Sequence, residues 1–452
     1  MKWFIGMSLF VAVFTVRANS DVPNYTKLRQ DEDWSAWCNA GHPGFEYKCL
    51  RPWQDSLLSL GGEIRARYEN TADPTWGDDP QDKHGVVMQR YVLFADFKPV
   101  RNLRLFGQIN SALESGRADG PSPVDENKLS VQQGFLQWQT SPKSRLTVGR
   151  QELNFGSGRL VDVREGPNVR RRFDAIQWQL AIAHWRIDVV AARPWVLHSG
   201  AFDDHLDQQQ ALWGIYSVGK DLGFGLDENN LDLYYLGYRN EQAVFMQGKD
   251  DELRHSVGAR FWGNDGAWHW DWEFIYQFGH FGAGDIRAWS IASNTRRDLP
   301  YSNSPAIGIS TNIASGDKDP TSAQLGAFNA IFPRGNYFSE LALLGPRNFF
   351  NLHPYVSFSP SSALALTFEV DFYWRLSSND GVYGPAGQLL RAAQNTNGHY
   401  VATEASVNAT WSLTRNIEIT AIYGHSFPGP VIRDSAPSKG TDFLELTLKY
   451  QY

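Results

Sequence analysis

The groups in this sequence best suited to chemistry are guanidiniums. Between Gly149 and Asp174 the chain carries Arg150, Arg159, Arg164, Arg170, Arg171 and Arg172, the last three consecutive. A guanidinium is planar, stays charged at neutral pH and grips a carboxylate through two parallel N–H···O bonds. Several of them in a low-dielectric wall would attract a polyanion and raise its local concentration. Two plainer readings stand beside that one. The arginines could pair with Asp162, Glu165 and Asp174 in a solvated loop, or hold lipopolysaccharide phosphates at a membrane rim. A catalytic reading is thinner: His255 and His425 could act as bases, but the chain has no Gly-x-Ser-x-Gly elbow to present a nucleophile.

A cluster of this kind needs elements to position it, and the sequence supplies exported β-strands. Met1-Lys2, an apolar run from Trp3 to Val16 and then Ala18-Asn19-Ser20 follow the order of a cleaved signal, with the cut expected after Ser20. Losing Lys2 and Arg17 and no acid takes the net charge from −7 to −9, which argues against a nucleic-acid partner. No later segment has the roughly 18 continuous apolar residues of a spanning helix. Aromatic residues nevertheless make up 14% of the chain and charged ones only 20%. That balance suits strands with one face to lipid and one to water.

Period-2 alternation bears this out along the chain. Leu444, Leu446, Leu448, Tyr450 and Tyr452 alternate with Glu445, Thr447, Lys449 and Gln451, and an aromatic at the last position resembles the signal read by the outer-membrane assembly machinery. Trp268, Trp270, Trp272, Phe274, Tyr276 and Phe278 oppose His269, Asp271, Glu273 and Gln277. The polar faces carry charges of both signs on strand after strand, which fits a wet lumen. About eighteen such segments of roughly ten residues can be counted, starting near 57, 86, 102, 131, 145, 173, 184, 210, 231, 252, 268, 287, 305, 352, 364, 401, 417 and 442. An even count puts both ends in the periplasm, with short turns such as Pro99–Arg101 and Ser141–Ser144 below and long loops such as 153–172 and 313–351 above. The expected class is therefore all-β: a transmembrane antiparallel barrel of an outer membrane of the Gram-negative type. A leader at 1–20 and an N-terminal periplasmic segment at 21–56 precede the barrel at 57–452.

Strand parity turns Arg65, Arg67, Arg90, Arg104, Arg254, Arg260 and Arg375 toward the lumen, together with Glu63, Glu69, Asp96, Glu369, Asp371 and Glu404. Mixed ladders of this kind give weak, repeated binding suited to passage. Arg150 is the exception. Strict alternation places it outward with Leu146 and Val148, unless a bulge at Gly149 reverses it. Cys38 and Cys49, meeting an oxidising compartment, are expected to pair. The Asp317-Lys318-Asp319 turn has acids at a spacing that calcium sites share with many ordinary turns.

Four stretches resemble the alginate export porins of the bacterial outer membrane: GRQELNFGSGRLVDVREGPNVRRRFDAIQW at 149–178, SGDKDPTSAQLGAFNAIFPRGNYF at 315–338, LLGPRNFFNLHPYVSFSP at 343–360 and FYWRLSSNDGVYG at 372–384. The likeness extends from about residue 57 to 452 and is most specific in the first block. It implies an 18-stranded barrel with an arginine-rich constriction that conducts an anionic polyuronate. On that likeness Arg150, Arg159, Arg170, Arg171, Arg172 and Arg375 take the family's basic positions. It further implies lipid and lipopolysaccharide around the barrel, export partners in the periplasm and a monomer; the sequence itself gives no reason for a cofactor, and because the firm periplasmic turns are short, a gate is expected in the long loop 313–351. A porin for small organic anions is the nearest alternative, followed by an adhesin whose barrel is filled by its N-terminal segment, and then an outer-membrane enzyme.

Overall fold

Eighteen antiparallel strands close into a barrel. The computed structural model describes residues 22–223, 225–335, 338–393, 398–435 and 437–452, so the expected leader at 1–20 lies outside the described residues. In chain order the wall strands are β1 (Leu57–Ala72), β2 (Val86–Val100), β3 (Leu103–Ser115), β4 (Asn127–Ser141), β5 (Ser144–Gln151) and β6 (Phe173–Ile182). Then come β7 (Trp185–Val196), β8 (Gln210–Lys220), β9 (Glu228–Phe245), β10 (Gly248–Asp265), β11 (Trp268–Phe281) and β12 (Gly284–Asp298). The last six are β13 (Ala306–Ala314), β14 (Phe349–Ser361), β15 (Leu364–Trp374), β16 (Tyr400–Ser412), β17 (Ile417–Pro428) and β18 (Thr441–Gln451). Each pairs with its sequence neighbour, and β18 returns to β1 from Glu63↔Gln451 to Ala72↔Asp442. Closure leaves no sheet edge, the condition for strands to sit in hydrocarbon.

The alternation sorts the two faces. Leu93, Ile176, Leu446 and Leu448 are exposed outward, while Glu63, Arg90, Arg254 and Asp371 on the inner face are buried. Trp138, Trp178, Trp268 and Trp411 face outward near the short-turn end, at the height of an aromatic interfacial belt. Two outer connections are short: Met246-Gln247 joins β9 to β10, and Gly282-Ala283 joins β11 to β12. The long outer loops therefore gather over the rest of the barrel.

Residues 22–56 form a strap across the mouth at the short-turn end, the end expected to face the periplasm. Cys38 and Cys49 are joined by a disulfide, and Trp34, Trp37 and Leu57 pack against it. Arg29 and Lys48 each donate to the Tyr452 carbonyl at 3.2 Å, and Glu32 pairs with both, at 2.9 and 3.7 Å. Lys98 ties to Asp33 at 2.9 Å and Lys27 reaches Asp162 at 2.7 Å. A crosslink closing a loop of this size stabilises by about 3 kcal/mol. Cys38→Ser with Cys49→Ser should make residues 22–56 sensitive to protease while the heat-modifiable gel mobility of the barrel is unchanged. Equal protease resistance would show that the strap is held by its ion pairs alone.

Candidate functional site

Two outer loops fold down into the lumen because they carry apolar residues that need cover. In loop 152–172, Leu153, Phe155, Leu160, Val161 and Val163 are buried; in loop 315–348, Leu325, Phe328 and Phe332 are buried with them. The loops are stitched together at Val161 and Phe332, with the Asp162 N–H donating to the Phe332 carbonyl and the Phe332 N–H to the Leu160 carbonyl, both at 2.9 Å. Loop 315–348 also docks on the wall through Gln277, which donates to the Asn329 carbonyl at 2.7 Å. The half of the lumen beside β8 to β13 is thereby filled. Burying a side chain such as Phe328 contributes about 1.5–3 kcal/mol.

Among the described residues two large cavities remain. One, of about 810 Å³, runs along the β16–β18 and β1 wall, from Gly384–Gln388 near the outer face to Glu418 and Lys449 near the periplasmic turns. Eight arginines and lysines and six acids line it, a net charge of +2. The other, a vestibule of about 880 Å³, lies at the periplasmic end between the strap and the β2–β7 wall. A chain of ion pairs separates them. Glu165 faces the long cavity, Glu152 faces the vestibule, and Arg170 binds both. Glu165 also pairs with Arg90, which pairs with Glu63, and approaches Arg65 at 3.7 Å. Burial alone would raise the Glu165 carboxyl, but the Arg170, Arg90 and Arg65 charges hold it well below the usual carboxylate range.

Most cations of the long cavity are compensated. Arg67 lies 3.2 Å from Glu69 and 3.4 Å from Glu445, Arg117 meets Glu114 and Asp125, and Lys449 meets Glu418 at 2.6 Å. Three guanidiniums have no carboxylate partner among the described residues: Arg164, Arg171 and Arg347. Arg171 donates to the Asp162 and Pro333 carbonyls and lies over Phe332; Arg347 donates to the Phe328 and Gly387 carbonyls. Arg164 sits in the left-handed region at φ 59°, fixed by its N–H donating to Asp162 Oδ1 at 2.6 Å. Such a conformation costs of order 1–3 kcal/mol in a residue with a β-carbon and is found where a site needs it. Burial lowers the pKa of all three, and for Arg171 the neighbouring Arg164 charge adds to the effect, bringing it to about 9. At neutral pH they remain cations whose desolvation is offset only in part, by Asp125 for Arg164, Asp162 for Arg171, and Glu252 and Asp380 for Arg347, none of them in a direct ion pair among the described residues.

The structure distributes the arginines singled out by sequence. Arg65, Arg67 and Arg171 line the long cavity and Arg104 lines the vestibule, where Asp96 holds it at 2.6 Å. Arg90 and Arg170 form the partition. Arg159 is locked to Glu273 at 3.1 Å and Asn312, Arg172 to Asp204, Arg254 to Glu252, and Arg260 to Asp232 and Asp271 at 3.0 and 2.7 Å. Arg375 is buried under the outer loops, donating to the Gly398 carbonyl at 2.7 Å. Arg150 is a correction. The ladder is unbroken through Gly134↔Arg150↔Asp174, so Gly149 introduces no reversal and Arg150 points outward, paired with Asp174 at 3.2 Å and stacked 3.5 Å over Trp195. Arg334 and Arg347 were passed over, and Arg164, though part of the basic cluster, was given no site position, because parity says nothing about loops. Each lies inside a stretch that carried the family resemblance, which was the available signal.

Other candidates fall elsewhere. His255 and His425 sit on the outer face, bonded to Tyr235 and Asp442, both at 2.8 Å. Asp317 accepts from Gln247 at 2.6 Å and Asp319 caps Thr321; among the described residues no group of three or more acids, histidines or cysteines is placed to hold a metal. Glu369 and Asp371 face His353 at 3.1 and 3.3 Å, and Glu404 accepts from Ser339 and Tyr373.

Comparison with known proteins agrees with this architecture. The family model described as Alginate export matches residues 56–444. Among curated proteins nothing matches. Among solved structures, a BenF-like porin from Pseudomonas fluorescens Pf-5 superposes with a TM-score of 0.60 at 11% identity, over 88% of this chain and 98% of the other. OccAB4 of Acinetobacter baumannii superposes at 0.58 and 11% identity, over 89% and 99%. OccD3 (OpdP) of Pseudomonas aeruginosa superposes at 0.59 and 12% identity, over 87% and 91%. At these identities the likeness is one of fold.

Proposed function

The chain belongs to the alginate export family of outer-membrane channels, and from that premise we propose that it conducts an anionic polyuronate through the long cavity. The observation that carries this reading is the trio Arg164, Arg171 and Arg347. Three desolvated guanidiniums without carboxylate partners among the described residues are a vacancy for carboxylates supplied by a solute. A polyuronate offers one carboxylate per sugar, so successive residues can exchange places along the trio. Interleaved acids such as Glu69 and Glu340 keep each contact weak enough to release. Movement of loop 315–348, docked but not strand-paired along most of its length, supplies the opening a polymer needs. The barrel on this reading acts as a monomer in lipid and lipopolysaccharide, with periplasmic partners setting the direction of export.

A second reading, a channel for small organic anions, is favoured by the Glu165–Arg170–Glu152 partition, which a small solute passes with side-chain motion alone. Single-channel current across a planar bilayer separates the two. On the polyuronate reading, mannuronate hexamer blocks an anion-selective current and mannuronate monomer does not. Block by monomer and hexamer alike selects the small-anion reading, and indifference to both overturns the carboxylate trio as the conducting site.

A further inference from the structure

The vestibule differs from the long cavity in kind. Ten asparagine and glutamine side chains line it against three in the long cavity, and its six cations are matched by six acids. The strand register arranges part of this surface as a grid. On the inner face Arg104, Gln137, Thr147 and Gln177 lie directly opposite one another across β3, β4, β5 and β6. The adjacent row is Gln139, Arg145, Gln179 and Asp188, across β4 to β7. Neighbouring strands are about 4.8 Å apart, so a four-strand row spans roughly 14 Å, and rows two residues apart are separated by about 6.8 Å. That is a flat polar lattice on a rigid sheet.

Two of its three charges are paired, Arg104 with Asp96 and Asp188 with Arg186, while Arg145 rests on a neutral amide oxygen. Asp188 accepts from Gln177 at 3.0 Å, Gln179 at 2.8 Å and Arg186 at 3.0 Å. Arg145 donates to the Gln179 carbonyl oxygen, and the Gln137 amide donates to Thr147 at 3.2 Å. Gln137 and Gln177 each commit one amide N–H and keep the second N–H and the amide oxygen for a further partner, half-exposed toward the cavity. Amide oxygens beside free N–H groups suit partners that both give and accept a hydrogen bond, as hydroxyls do. A carboxylate has no proton to give the amide oxygens and meets Asp31, Asp33, Asp55 and Asp188 in the same cavity. We infer that the vestibule is a binding site for the hydroxyl groups of an oligosaccharide, indifferent to whether the sugar is charged. Selection for carboxylate then occurs only in the long cavity. The assignment of the vestibule stands on its own geometry; the division of labour between the cavities rests on the polyuronate reading.

The test uses the mature protein and two matched probes, a neutral mannose hexamer and a mannuronate hexamer. The mannose hexamer, added from the periplasmic side of a planar bilayer, should produce brief current blocks, and calorimetry in detergent should show saturable binding. Gln137→Leu with Gln177→Leu should weaken both about tenfold, the effect expected from losing two hydrogen bonds near 0.5–1 kcal/mol each. Mannuronate block from the outer side should be unaffected. Heat-modifiable mobility checks folding, and the milder Gln177→Asn replaces the pair if it fails to fold. Absence of mannose-hexamer binding by calorimetry, or binding unmoved by the variant, overturns the vestibule site. Failure of the polyuronate reading appears separately, as mannuronate block that ignores Arg164, Arg171 and Arg347.

Discussion

Arg164→Gln, Arg171→Gln and Arg347→Gln combined should abolish most of the uronate block. The substitutions take the net charge lining the long cavity from +2 to −1. A hydrogen bond to a charged group is worth about 1.5–3 kcal/mol, so losing two such contacts from a bound hexamer weakens it by roughly a hundredfold or more. The same variant should move the reversal potential in a salt gradient toward cation preference. Lysine at all three positions should keep the anion preference while weakening the block, because an ammonium carries the charge without the planar fork. Folding should survive: none of the three guanidiniums is an ion-pair partner of a described carboxylate, and the carbonyl bonds that Arg171 and Arg347 lose are offset in part by removing a buried positive charge. An uronate block of wild-type strength in the glutamine variant would remove these residues from the conducting path.

Glu165→Ala should cost the most stability of any single change in the lumen. The carboxylate touches Arg90, Arg170 and Arg65, two of which are almost fully buried. Breaking a buried pair by removing one partner costs about 3–5 kcal/mol. Here 35% of the Glu165 side chain is exposed to the cavity, and water there screens the loss, so about 2–4 kcal/mol is expected. The freed guanidiniums should also increase anion preference, a change opposite in sign to that of the glutamine triple variant. The pH dependence follows from the lowered carboxyl. Its stabilisation is fully present above the ordinary glutamate value of about 4.3, and it is lost only as pH falls through the lower folded value. Wild-type barrel stability should therefore persist through mild acid, and the difference from Glu165→Ala should vanish only in strong acid. A melting difference already gone at pH 5 would mean that the three arginines do not hold the carboxylate.

How far the sequence reaches can be seen at particular residues. Every wall strand was legible, including the four of β9 to β12, because a one-residue slip would swap apolar and polar faces and the pattern tolerates none. Parity alone turned Arg65, Arg90, Arg254 and Arg260 inward. What parity lacks is distance across the lumen. Arg254 and Arg260 look like channel cations in sequence, yet Glu252 and the pair Asp232 and Asp271 consume them. The compensating acids lie on the same or neighbouring strands and were readable only once the register was known. Loop residues are the converse case. Val161 and Phe332 stand 171 positions apart, and no local pattern says that they meet and carry Arg164 and Arg171 inward with them.

The strap's anchors set an order of events in biogenesis. Arg29 and Lys48 converge on the backbone of Tyr452, and Asn416, at the β16–β17 turn, donates to Tyr25 at 2.9 Å. Part of the strap's seat is thus made by the segments synthesised last. Until β18 has zipped onto β1, the strap can hold to β1 and β2 through Leu50 and Asp33 but lacks the Tyr452 and Asn416 anchors that complete its seat. A fully anchored strap is therefore a mark of a closed barrel, since its last anchors exist only after the first and last strands have met.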